Sequence, residues 1–369
     1  MIYLDNAATT KPKKEVVDVI TRCLLEDWGN PSSSHALGRR AKKIVEESRK
    51  TVADLIGADP SEIIFTSGAC EANSLAVFGY LQSRHSCFYT SAIEHKSIVN
   101  ISQNSDAIAD DVILVNSFGQ VDVSSIKKLI EDDLYQPLVS IQYANNEIGT
   151  IQNIKKIADI VHQCDGVIHT DATQIIPDRK INVKKLDVDM LSFSGQKLGA
   201  PKGIGVLYVR NGIKLDSIIY GTQENGLRGG TENVPYIAGL AEAIRQLKFP
   251  TGKERDYFVN RVLSEIEDCY LVGTPIGNNR LRNNAAICFR GAESEAVLLM
   301  LDQKGICVSS GSACNSFSLE PSHVLTAIRL PKEDQYSMVR FTFGENTIEE
   351  VDIVVEELKN IVSILRNMK

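Results

Sequence analysis

Four short runs rich in β-branched or aromatic residues dominate the middle of the chain: PLVSIQYA (137–144), GVIHTDA (166–172), MLSFS (190–194) and GVLYV (205–209). Each reads as a strand, and stretches of helical periodicity alternate with such runs through the first two thirds of the sequence. Strands separated by helical segments imply an α/β fold with a mostly parallel sheet. An earlier strand, IIFT (63–66), runs into a Ser67-Gly68 turn and a helix opening near Glu71. Val16, Val17, Ile20, Cys23 and Leu24 mark one face of a helix that starts after Pro12.

The alternation breaks at FPTGKERD, near residue 250. A long helix follows, then the strand AAICF (285–289), the helix SEAVLLMLDQK closed by Gly305, and the strand ICV. SMVRFTF and an amphipathic helix from Glu349 complete what reads as a smaller α+β domain. A chain of 369 residues is long enough for two domains.

Composition narrows the function classes. With 43% apolar and 24% charged residues the chain is ordinary for a soluble protein. A net charge of -7 gives no support for a direct nucleic-acid partner. Eight cysteines without a C-x-x-C pair read as reduced thiols, hence a cytoplasmic protein. MIYLDNAATT has neither region of a signal peptide, and no apolar run approaches the ~20 residues of a membrane helix, so no membrane partner is expected.

Three features carry chemistry only when taken together. Lys197 lies in a Gly/Ser-containing connection, SFSGQKLGAPKG; alone it is a solvated loop lysine or a Schiff-base lysine. Asp171 ends an apolar strand, where a charge needs a partner; with His169 it could instead form a metal pair, although no third ligand is evident. TSGACEAN (66–73) offers a strand, a glycine turn and a helix N-terminus, a cup for a phosphate. A lysine, an acid and a phosphate cup together point to pyridoxal 5'-phosphate. His95 and the loop GGTENV (229–234) are unremarkable alone, and Arg340 reads alone as a solvated strand-edge arginine. Cys314 ends SSGSAC, a flexible Ser/Gly-rich tract where a core-filling thiol has no place.

LDNAATT, GNPSSSH, TSGACEAN, ANNEIGTIQ, HTDATQ, SFSGQKLGAPKG, LRGGTENVP and SSGSAC…SLEPSHVL follow one another along almost the whole chain. In this the sequence resembles the cysteine desulfurases of the NifS/IscS type, within the fold-type I (aspartate aminotransferase-like) pyridoxal phosphate-dependent transferases. The resemblance implies a large cofactor domain (15–250) with a mostly parallel mixed sheet, a small α+β domain (1–14 and 251–369) carrying the cysteine loop, and a homodimer with sites at the subunit interface. It implies that Lys197 holds the cofactor, Asp171 keeps its ring nitrogen protonated, and His95 stacks on the ring and shuttles protons. Asn146 and Gln174 would contact the ring oxygen. Ser194 and the helix start at Ala69 and Cys70 would grip the phosphate, with Thr231 from the other subunit. Arg340, with Asn146, would hold the substrate carboxylate. Cys314 would take sulfur from L-cysteine as a persulfide, leaving L-alanine, and pass it to an acceptor protein for iron–sulfur cluster assembly or tRNA thiolation. Cys307 would merely pack.

The pattern is broken in three places. Gln196 stands where the family has histidine, Cys70 where it has threonine, and YGTQENG (220–226) is one residue shorter than its counterpart. Two of these lie in the phosphate cup, so weaker cofactor retention is expected. Three alternatives stay open: a selenocysteine lyase, another carbon–sulfur lyase, and a degenerate relative acting as a regulatory subunit.

Overall fold

The computed structural model describes residues 1–84, 86–103, 112–133, 135–311 and 321–368. Its strands are β1 (Ile2–Tyr3), β2 (Ile63–Thr66), β3 (Phe88–Thr90), β4 (Leu138–Ser140), β5 (Val167–Asp171) and β6 (Met190–Ser194). After these come β7 (Gly205–Val209), β8 (Cys269–Leu271), β9 (Asn284–Phe289), β10 (Ile306–Cys307) and β11 (Met338–Thr342).

Six strands form the main sheet in the order β2-β7-β6-β5-β4-β3. β3 to β6 run parallel, and β7 alone is reversed against β6 and β2. Side chains alternate between two cores, as the pleat requires. Ile63, Phe65, Val139, Ile168, Leu191 and Val206 face one, whereas Ile64, Leu138, Val167, Met190 and Leu207 face the other. Both faces are buried, which is why these strands carry apolar side chains on both. The helices Lys14–Glu26, Ala36–Ile56 and Val234–Arg245 cover the first face, and Ala69–Leu81 the second.

One expectation for the first helix is corrected. Val16 and Cys23 are buried and Ile20 packs beside them, but Val17 and Leu24 are exposed. The apolar stripe is wider than the face that meets Val234–Arg245, and residues about 100° round the helix from Val16 and Cys23 point to solvent.

In the last third, β8, β9 and β11 form an antiparallel sheet with β9 central. Ala285, Ile287, Phe289, Val339 and Phe341 meet the helices Lys253–Glu265, Ser294–Gln303 and Ile348–Asn367 in a further core. The opposite face, with Ala286, Cys288 and Met338, packs on Ile93 and Ile148 from the loops after β3 and β4. The chain start joins this region. β1 pairs with β10, Leu4 enters its core, and Asp5 bridges Thr342. Among the described residues no helix is long and apolar enough to cross a membrane.

Because β2 to β6 point one way apart from the reversed β7, the loops leaving their carboxyl ends converge at one edge of the sheet. Ligands of open α/β sheets bind there.

Candidate active site

A cavity of ≈ 580 Å³ opens at that edge. The size suits a cofactor together with a small amino acid. Ala69, Cys70, His95, Asn146, Asp171, Gln174, Ser194, Gln196, Lys197 and Arg340 all line it. Thr231 does not. It lines an adjoining recess with Arg228 and Glu232, and only Ser67 and Gly203 are shared by both walls. Cys314 lies outside the described residues.

Asp171 has the partners its burial demands. Oδ2 accepts from Asn73 Nδ2 (2.9 Å) and Oδ1 from the Thr173 amide (2.9 Å). Asn73 Nδ2 also reaches Ser97 Oγ (2.9 Å), which lies 2.8 Å from His95 Nδ1, so acid and histidine share one polar chain. The Ser97 amide donates to the same Nδ1 (3.1 Å), so the neutral His95 ring carries its hydrogen on Nε2. Burial pushes the His95 pKa below the usual histidine value, against a smaller opposing pull from Asp171, so the ring stays neutral at pH 7. The metal alternative for His169 and Asp171 finds no support in the bonding of the histidine. Its ring nitrogens are engaged by Ser140 and Ser192 hydroxyls, both at 2.8 Å.

Lys197 sits in a single turn of 3-10 helix (Gly195–Lys197) after β6, and its ammonium donates to the Ala8 carbonyl. The helix Ala69–Leu81 begins at Gly68 with no side-chain cap, and its first residues line the cavity, so its N-terminal end lies at the site. Gly205 of β7 passes so close that a Cβ there would lie 2.4 Å from the Gly68 carbonyl carbon, so glycine is required. Glu71 is held by Arg228 (2.9 Å) and the Ser67 amide (2.9 Å), which ties its carboxylate to its own loop and to the adjoining recess.

Arg340 is 2% exposed, contrary to its reading as a solvated edge residue. One terminal nitrogen donates to Asp5 Oδ1 (2.7 Å) and the other to the Asn146 carbonyl (3.0 Å). Its Nε is buried with no hydrogen-bond partner in the structure. A donor left unpaired on a buried guanidinium beside a cavity is a place for an anion.

An uncapped helix end, a lysine and a partnered acid around one cavity fit pyridoxal phosphate. The N-terminal segment forms a whole wall that sequence reasoning missed. Asp5 holds Arg340, the Ala7 carbonyl accepts from Gln174 Nε2 (3.1 Å), Ala8 accepts from Lys197, and Thr10 Oγ1 donates to the Gln196 carbonyl (2.7 Å). LDNAATT was visible as a motif, but the signal for its task lay some 170 to 340 residues away. Asn73, Glu94, Glu147 and His323 were missed likewise. Burial pushes the Glu94 carboxyl up to about 8, although both its oxygens accept from the Gln142 amide (2.9 and 2.8 Å).

The shortened tract acquires a physical account. Glu224 and Asn225 take left-handed backbone (φ 48° and 57°), which turns Glu224 inward. Its carboxylate takes a two-pronged bond from Arg49 (2.8 and 2.9 Å) and one from the Phe65 amide (2.9 Å).

Comparison with known proteins agrees with this geometry. The aminotransferase class-V family model matches residues 2–354. Cysteine desulfurase IscS of Dictyoglomus turgidum is 41% identical, over 100% of this chain and 96% of that protein. Its namesake from Methanosarcina thermophila is also 41% identical, over 100% and 93% respectively. Among solved structures, a NifS-like protein superposes with a TM-score of 0.89 at 31% identity, covering 98% of this chain and 99% of its own. A structure described as SspA in complex with cysteine reaches 0.83 at 33% identity, covering 93% and 99%. Full-length identity of this order, on a fold whose strand ends gather the same motifs into one cavity, makes the chain a member of the class-V aminotransferase family, among the cysteine desulfurases of the NifS/IscS type.

Proposed function

We propose that the protein is a pyridoxal phosphate-dependent cysteine desulfurase that converts L-cysteine to L-alanine and retains the sulfur as a persulfide on Cys314. The observation that carries this reading is the meeting of Lys197, Asp171 and the uncapped N-terminus of Ala69–Leu81 in one cavity.

When bound, pyridoxal phosphate supplies an electron sink for the bond broken at the substrate Cα. The amides at Ala69 and Cys70, with Ser194 and Gln196, would hold its phosphate. Asp171 would keep its ring nitrogen protonated, helped by the bond from Asn73. Lys197 would anchor the cofactor and, once displaced by substrate, take the α-proton on Nζ. His95 would lie against the ring with Nε2–H free to donate. Asn146 and Gln174 would orient the ring oxygen. Arg340 would receive the substrate carboxylate through the unpaired Nε–H. The Cys314 thiolate then forms an S–S bond as the substrate Cβ–S bond breaks. The electron pair of that bond stays with the carbon skeleton, which leaves as alanine after protonation.

The direct test is product analysis with L-cysteine and a reductant. Alanine and sulfide should appear in equal amounts. Pyruvate and ammonia with sulfide would instead indicate an eliminating lyase, and no product from the loaded protein would favour the regulatory reading.

We further propose that residues 15–250 hold the cofactor, that 1–14 with 251–369 form the unit bearing the cysteine, and that both belong to a cytoplasmic homodimer. Two largely distinct cores favour the division, although Leu281 joins the larger one and Ile93 and Ile148 pack against the smaller sheet. Thr231 would serve the partner's phosphate, in keeping with its place outside this chain's own cavity. The sulfur would pass to an acceptor protein of iron–sulfur cluster assembly or tRNA thiolation.

Cys70 presents a thiol at the helix start, a weak donor for a phosphate. Cys70→Thr should tighten cofactor binding roughly fivefold, the worth of about one added hydrogen bond (~1 kcal/mol). Titration of apoprotein with pyridoxal phosphate, followed by absorbance, reads this directly. An unchanged affinity would clear the thiol of blame for weak retention.

A further inference from the structure

The cavity wall carries a second histidine to which the reaction above gives no task. His323 begins a short helix (His323–Ala327) capped by Ser322, and the Ser322 hydroxyl also binds Glu147 Oε2 (2.6 Å). His323 Nε2 lies 2.9 Å from the Glu94 carbonyl oxygen. A carbonyl only accepts, so Nε2 carries the ring hydrogen and Nδ1 of the neutral ring is a bare lone pair. That Nδ1 is buried and has no hydrogen-bond partner in the structure. The two cavity histidines are therefore opposite tautomers. His95 leaves a donor on Nε2, and His323 leaves an acceptor on Nδ1.

A buried acceptor without a donor is a site waiting for one. On the desulfurase reading, the ligand is an amino acid whose carboxylate goes to Arg340 and whose amine goes to the cofactor. The donor it has left is the side-chain S–H. We propose that His323 Nδ1 accepts the hydrogen of the substrate thiol, making His323 a specificity-determining residue that selects thiol amino acids over those with bare alkyl side chains. Ser322 and Glu94 hold the ring for this task from either side, one through the chain and Glu147, the other through its carbonyl.

The test uses two ligands that lack an α-hydrogen and so cannot be turned over. α-Methyl-L-cysteine has the thiol; α-aminoisobutyrate does not. Dissociation constants for both are measured by calorimetry on loaded wild-type protein and on His323→Gln and His323→Asn, with the absorbance of the bound cofactor as a check on the site. Gln retains an amide able to reach the Glu94 carbonyl, whereas Asn shortens the side chain. Wild type should prefer the thiol ligand by about tenfold, and the preference should fall below about threefold in both variants, while α-aminoisobutyrate binds as before. A wild type without preference, or variants that keep it, overturns the proposal. A loss shared equally by both ligands also overturns it, since His323 would then only hold the wall in place. Alanine and sulfide production by wild type, assayed in parallel, tells failure of this proposal from failure of the desulfurase reading.

Discussion

Lys197→Ala is expected to abolish turnover, lowering kcat by roughly 10³-fold or more. The side chain is asked both to anchor the cofactor and to move the α-proton, and a positioned proton-transfer group alone is worth about 10²–10⁴-fold. Two other cations of the cavity wall are poorly placed to replace it. Lys202 lines the same cavity but follows the Gly199–Pro201 bend, and Arg340 is committed to Asp5 and the Asn146 carbonyl. The cofactor should also become removable by gel filtration, because non-covalent contacts alone remain. The fold should survive, since the 3-10 turn that carries Lys197 is closed by its own backbone. Far-ultraviolet circular dichroism checks this. Activity within tenfold of wild type would remove Lys197 from the mechanism.

The second large effect concerns stability. Glu224→Ala should cost about 3–5 kcal/mol, the usual penalty for removing one partner of a buried pair. The Arg49 side chain is 12% exposed and would lose both prongs of its bond, and the Phe65 amide in β2 would lose its acceptor. Arg49 would keep the Ile63 carbonyl and its place over the Phe65 ring, 4.8 Å from the centroid, so collapse is not expected. Glu224→Gln should cost less, because an amide oxygen still serves the Phe65 amide. Urea denaturation of the three proteins measures the difference. An alanine variant within 1 kcal/mol of wild type, below the cited penalty, would contradict the anchoring role. The consequence reaches the site, because Arg228, just after the same tract, binds Glu71 at the start of the helix that lines the cavity.

How much of this was legible in the sequence follows from the range of each signal. The parallel sheet was, because strands buried on both faces are rich in apolar and β-branched residues and their order alternates with helices. A mixed sheet was expected and β7 was found as a strand, but its being the reversed one was not assigned, since that depends on how the long turn through residues 195–204 folds back. The first helix shows the limit of periodicity. Val17 and Leu24 are as apolar as Val16 and Cys23, and only the tertiary partner selects which are covered. The gathering of Lys197, Asp171 and the helix start was legible as local motifs. Their bonding partners were not, because Asn73 meets Asp171 from 98 residues away and Asp5 meets Arg340 from 335 residues away. The tautomers of His95 and His323 depend on which backbone atom faces the ring, and residue type carries no record of that.

The central claim is that sulfur leaves the substrate onto a protein thiol. The measurement that bears on it most directly compares alanine and sulfide release from L-cysteine by wild type and Cys314→Ala, both loaded with pyridoxal phosphate and supplied with a reductant. Equal amounts of both products are expected from wild type and none from the variant, which should keep the yellow colour of its bound cofactor. Equal turnover by both proteins would contradict it.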